Sequence, residues 1–121
     1  MKAVAISLIL LVAVISLTVA NSVFVNDRIN SIKDTALSIL DDGVDKSETA
    51  RSLILRWERD QKIFRLSTSL REIDRATEAL LTLAIACENA NEWAIRQSCV
   101  LFCDALDDIA RYETFNIINA L

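Results

Sequence analysis

The chain has 121 residues and a net charge of −4, with one glycine, no proline and no histidine. This composition excludes collagen-like, linker-like and most β architectures. The lack of imidazole removes Ser/His and Cys/His nucleophile pairs and the commonest zinc ligand. We therefore expect a small all-α protein that is not an enzyme.

The N-terminal segment is the most informative part of the chain. Residues 3–25 read AVAISLILLVAVISLTVANSVFV, and no charged residue lies between Lys2 and Asp27. With a helical rise of about 1.5 Å per residue, this segment measures roughly 35 Å, enough to cross a hydrocarbon core of about 30 Å. The sequence predicts a transmembrane signal-anchor helix in residues 1–25 and an extracytoplasmic helical-bundle domain in residues 26–121.

A cleaved signal is the alternative to a retained anchor. Thr18-Val19-Ala20 resembles a weak cleavage site, but the apolar run exceeds the usual length of about 7–15 residues. Apolar residues also resume at Val23-Phe24-Val25. We favour the anchor, and a secreted small helical binding protein released after Ala20 stays open as the second hypothesis.

The orientation depends on the charges that flank the apolar segment. Lys2 and the terminal amine nearly balance Arg28 and Lys33 under the positive-inside rule. The short N-terminal head resembles that of an uncleaved signal and favours a cytoplasmic N-terminus. This predicts a single-pass protein of the cell membrane with its C-terminal domain outside the cytoplasm.

The domain after Asn26 is acidic overall, with a net charge of −5. That charge argues against nucleic-acid binding and against broad adhesion to anionic lipid. The charge sums to −3 in residues 27–45, +3 in 46–75 and −5 in 76–121. The basic middle segment is either a surface for an acidic partner or, as we favour, a helix packed beside acidic neighbours.

The anchor helix is predicted to continue past the apolar segment and to stop at Asp41-Asp42-Gly43. Gly43, the one glycine, stands where a left-handed residue commonly ends a helix. Asp45 or Ser47 is predicted to cap the second helix. The apolar residues that recur at helical spacing in the first helix are Ile29, Ile32, Ala36, Leu37 and Leu40.

Three further amphipathic segments follow. Ser67-Thr68-Ser69 interrupts the second, and Ser69 with Glu72 has capping-box spacing, although one continuous bent helix stays open. Asn89 or Asn91 is predicted to cap the last helix. Short connections predict an antiparallel, up-down bundle of three to four helices. The predicted core residues are Ala50, Leu53, Ile54, Trp57, Phe64, Ile73, Ala76, Leu80, Leu83, Ala84, Cys87, Cys99, Phe102, Leu106 and Ile109.

The residues with the best potential for chemistry are three aspartates and three cysteines. Asp104, Asp107 and Asp108 share a helix with Arg111, an intrahelical partner one turn from Asp107. No Glu-x-x-His unit accompanies them, so we interpret them as a solvated acidic face. We predict no catalytic residue, no metal ligand, no cofactor and no small-molecule substrate.

The cysteines are Cys87, Cys99 and Cys103. In a hairpin turning near Ala90, Cys87 lies about 4–5 Å and Cys99 about 13 Å from the turn, too far apart to bridge. Cys99 and Cys103 lie on one helix face, where disulfide geometry is poor. We favour buried free thiols; an intermolecular or rearranged bridge and a three-thiolate metal site stay open.

Two tryptophans and the C-terminal tail are candidates for protein contacts. Trp57 falls on an apolar face and is predicted to be core, whereas Trp93 is the better candidate for exposure. The tail, residues 112–121, is apolar and either closes the bundle, as we favour, or lies on a partner or the membrane surface.

Several of these features together resemble a known family. An N-terminal span, an acidic turn, Trp57, Glu72-Ile73-Asp74 and Glu113 followed by Asn116-Ile117 occur in that order. The chain resembles the domain of unknown function 4363 family, small membrane-anchored proteins of spore-forming Gram-positive bacteria. The resemblance implies the architecture and no activity. The expected role is a non-catalytic interaction or accessory domain in a membrane complex, with a protein partner or self-association.

Overall fold

The computed structural model describes residues 1–65 and 68–120, and within residues 114–120 it describes only the side chain of Ile118. The described residues form four helices and no strand: α1 (Lys2–Ser38), α2 (Lys46–Phe64), α3 (Leu70–Glu88) and α4 (Glu92–Ala120). The predicted all-α class is confirmed. The separation of α2 from α3 also answers the question of a single bent helix.

Helix α1 is unbroken, but its two halves differ in their surroundings. No residue before Ser22 is buried, whereas the second half has buried residues every three or four positions. Among the described residues, α1 is the one helix that is long and apolar enough to cross a membrane. The buried residues of α1 are Ser22, Val25, Ile29, Ile32 and Ala36.

The end of α1 departs from the predicted core in one respect. Leu37 and Leu40 are exposed, and Ile39 is fully buried instead. Ile39 continues the three-to-four-residue spacing from Ile32 and Ala36, whereas Leu37 is rotated by about 100° from Ala36. The predicted turn at Gly43 is confirmed by its φ of +82°.

Two of the predicted caps form, and one does not. The Asp45 carboxylate accepts a hydrogen bond of 3.2 Å from the Glu48 amide, and Ser47 lies inside the helix. The Asn91 side chain accepts from the Ala94 amide at 3.2 Å. Ser69 precedes α3, but its hydroxyl makes no capping hydrogen bond, so its predicted capping box is wrong.

The four helices form an up-down bundle in which each helix packs against two neighbours, with α4 closing against α1. Trp57 is 1% exposed, as predicted for a core residue. Its ring lies 5.6 Å from Phe64 and 5.9 Å from Phe102, and its indole N–H donates to Thr77 Oγ1 at 2.8 Å. The other predicted core residues of α2, α3 and α4 are buried, except that Ile54 and Ala84 are half-buried.

Candidate functional site

The bundle has polar side chains in its interior at the end next to the apolar half of α1. Asp60 of α2 is 1% exposed and lies among three arginines. Arg59 Nε is 3.3 Å and Arg28 Nη1 is 3.7 Å from Asp60 Oδ1, and Arg56 Nε is 3.8 Å from Oδ2. We call these four residues the Asp60 cluster.

Contacts to α1 hold the arginines of the Asp60 cluster in place. The Arg28 guanidinium lies 5.0 Å from the centre of the Phe24 ring, a cation–π distance. Arg56 donates to the hydroxyls of Ser31 and Thr35 on α1. The cluster therefore links α2 to the membrane-proximal half of the bundle's first helix.

The chemistry of the Asp60 cluster is that of charge compensation. A buried carboxylate is costly without nearby cations, and here three guanidinium groups supply them. Oδ2 accepts no hydrogen bond within the described residues, so Arg56 is its nearest compensating charge. The arrangement positions helices and presents no activated nucleophile.

A second buried polar pair lies at the same end. The Thr68 hydroxyl donates to Glu113 Oε1 at 2.9 Å, and Glu113 is 3% exposed. This hydrogen bond links the α2–α3 connection to α4. Ser22 of α1 is also buried at this end.

Sequence reasoning missed both buried carboxylates, although a signal for them was present. Asp60 lies between Trp57 and Phe64 on the apolar face of α2, and Glu113 follows Leu106 and Ile109 at the same spacing on α4. A charged residue on an apolar face indicates a buried ion pair or hydrogen bond. The partners themselves are distant in sequence, so spacing alone did not identify them.

The aspartates of α4 differ from the predicted solvated face. Asp107 accepts from Lys33 of α1 at 2.9 Å, and this hydrogen bond raises the pKa of Lys33. Asp108 pairs with Arg75 of α3 and lies 2.9 Å from Arg111, so the predicted Asp107–Arg111 pair is wrong. Asp107 and Asp108 are half-buried because they bridge neighbouring helices.

The three cysteines are buried and free, as we favoured. The Cys99 thiol donates to the Ala36 carbonyl of α1 at 3.3 Å. Burial raises the pKa of Cys87, and the hydrogen bond with Cys99 together with burial raises that of Cys103. Within the described residues, no group of three potential ligands is placed to hold a metal ion.

The remaining candidates for contacts lie on the surface or outside the described side chains. Trp93 is 72% exposed, as predicted. The backbone of α4 continues to Ala120. The predicted role of the tail depends on side chains of residues 114–121 that, apart from Ile118, lie outside the described part of the chain.

Fold and site together define a class: a small helical bundle built on one helix that is long and apolar enough to span a membrane. Within this class, comparison with known proteins adds no relative. No family model, no curated protein and no solved structure matches the chain.

Proposed function

We propose that this protein is a single-pass membrane protein whose helical domain acts as a non-catalytic interaction module at the membrane surface. One observation carries the proposal: α1 is exposed and apolar before Ser22, and the same unbroken helix then enters the bundle core. An anchor that is continuous with the core holds the domain at a fixed distance from the bilayer. Membership of the domain of unknown function 4363 family is part of the proposal and transfers no activity.

The proposed location is the cell membrane, with the bundle on the extracytoplasmic side. The short N-terminal head with Lys2 supports this orientation. Alkaline extraction of membranes should leave the full chain in the pellet, and protease added to intact cells should remove the bundle. Recovery of the whole protein in the soluble fraction would overturn the proposal.

The proposed partner is a protein of the same membrane or a second copy of the chain. Large apolar side chains stay exposed on α3 and α4, away from the apolar half of α1. Trp93 is 72%, Ile85 60% and Leu101 57% exposed. Tryptophan is enriched among the residues that carry most of the energy of protein–protein contacts.

Crosslinked capture from membranes tests the partner. Trp93→Ala should reduce recovery of a specific crosslinked species at least about tenfold, as expected for loss of a central aromatic anchor. Leu55→Ala is the control, because Leu55 is 69% exposed on α2. Equal recovery with both variants would show that Trp93 is no contact.

The second candidate function is a secreted helical binding protein released after Ala20. It has one observation in its favour: every buried residue of α1 follows the proposed cleavage site, starting at Ser22. The helix is unbroken across Ala20, where a cleavage segment would be extended, and this favours the anchor. An intact mass that starts at Asn21 would establish release.

A further inference from the structure

The ion pairs between α1 and α2 give the level of the bundle relative to the apolar segment. Arg28 faces Asp60, and Arg56 faces Ser31, so the two helices are antiparallel. Continuing this register by about one helical turn places Arg65 level with Val23. The α2–α3 end of the bundle therefore lies beside the last residues of the apolar segment.

This end carries cations that have no partner within the described residues. Lys62, Arg65 and Arg71 are exposed, and no ion pair between described residues involves them. We call these three residues the basic tip. No acidic residue occurs between Gln61 and Arg71, and Leu70, next to Arg71, is 58% exposed.

The other cations of the basic middle segment are in a different position. Lys46 lies 3.7 Å from Glu92, Arg51 lies 3.9 Å from Glu88, and Arg75 pairs with Asp108. These pairs fit the interpretation that helices of opposite charge lie side by side. The basic tip is the part of the segment that such pairing leaves unused.

We propose that the basic tip binds anionic phospholipid headgroups of the bilayer that α1 enters. The proposal rests on the proposed membrane span, because the span brings Lys62, Arg65 and Arg71 to headgroup depth. Arginine and lysine near an anionic membrane surface each favour contact with its phosphates, and an exposed leucine beside them suits the interface. Asp27 on α1 is the exposed acidic side chain at a similar level, and Glu72 is half-buried.

The negative charge of the whole domain is compatible with this contact. A net charge of −5 disfavours broad adhesion, but screening at physiological salt limits electrostatic interactions to about 8 Å. The acidic residues 104–108 of α4 lie about two turns or more from the basic tip, given that Asp108 pairs with Arg75. The headgroups at the tip therefore interact mainly with the local cations.

The test uses the full chain in vesicles of phosphatidylcholine and phosphatidylglycerol. After mild detergent extraction and capture of the protein, mass spectrometry gives the ratio of the two lipids that remain bound. We expect phosphatidylglycerol to be enriched over the starting mixture about fivefold for each headgroup contact. Arg65→Gln with Arg71→Gln should return the ratio to that of the mixture.

The matched control is Arg51→Gln with Arg96→Gln, two exposed arginines outside the tip and the same change in charge. It should keep the enrichment. An unenriched wild type, as expected if the tip binds an acidic protein, or equal loss in both variants would overturn the proposal. Flotation with pure phosphatidylcholine vesicles separately tests the span, since a protein that does not float lacks the anchor itself.

Discussion

Trp57 joins three helices through one side chain. It belongs to α2, its ring meets Phe102 of α4 edge-on, and its indole N–H donates to Thr77 of α3. Trp57→Ala should lower the free energy of unfolding by about 3–5 kcal/mol, because it leaves a cavity between these helices. Urea titration of the purified chain in detergent measures this loss.

Trp93→Ala is the matched control for Trp57→Ala. Trp93 is 72% exposed, so its removal should change the free energy of unfolding by less than about 0.5 kcal/mol. The two variants also separate the fluorescence, since buried Trp57 should emit at shorter wavelength than Trp93. Equal stability of the two variants would contradict the packing described for Trp57.

The thiols should be chemically protected in the folded protein. Burial raises the pKa of Cys87 and contributes to the raised pKa of Cys103, so these thiols stay protonated at neutral pH. A thiol-specific reagent should therefore react slowly at pH 7 with the native chain and rapidly with all three cysteines in denaturant. Fast native labelling at any of them would mean that the helices open readily there.

Single residues also show where sequence reasoning succeeds and where it does not. Trp57 was predictable as core, and Gly43 as a turn, because local spacing and backbone preference decide both. Asp60 was not, because its burial depends on Arg28, which is 32 positions away. The pairing of Asp108 with Arg75 was missed for the same reason.

Among the elements, α2 begins with a cap that distinguishes two candidates proposed from the sequence. The Asp45 carboxylate accepts from the Glu48 amide, whereas Ser47 lies inside the helix. Asp45→Ala should therefore cost about 0.5–2 kcal/mol, and Ser47→Ala clearly less. Thermal melts followed by circular dichroism compare the two, and a larger loss with Ser47→Ala would show that the helix begins elsewhere.

The helices themselves were predictable because each carries a three-to-four-residue apolar pattern. The pattern failed at the end of α1, where Leu37 was chosen and Ile39 is buried. Consecutive apolar residues there give two possible faces, and only packing against the other helices selects one. The α2–α3 boundary was open for a related reason, since no proline or glycine marks it.

At the scale of the whole molecule, the C-terminal tail decides whether the bundle closes on itself. Deleting residues 115–121 removes several large apolar side chains, each worth about 1.5–3 kcal/mol if buried. We expect the melting temperature to fall strongly. An unchanged melting temperature combined with loss of a crosslinked partner would instead identify the tail as a docking element.

The two halves of α1 should be separable, since they serve different surroundings. Every buried residue of α1 lies at or after Ser22, so a chain that starts at Asn21 keeps the complete core. In the same detergent, its melting temperature should lie within about 4 °C of the full chain, a difference of less than about 1 kcal/mol. A chain that starts at Asn30 is the control, because it lacks Ser22, Val25 and Ile29 and should not fold cooperatively. If the longer fragment also fails to fold, the apolar half of α1 is part of the bundle's stability and the anchor is not an independent element.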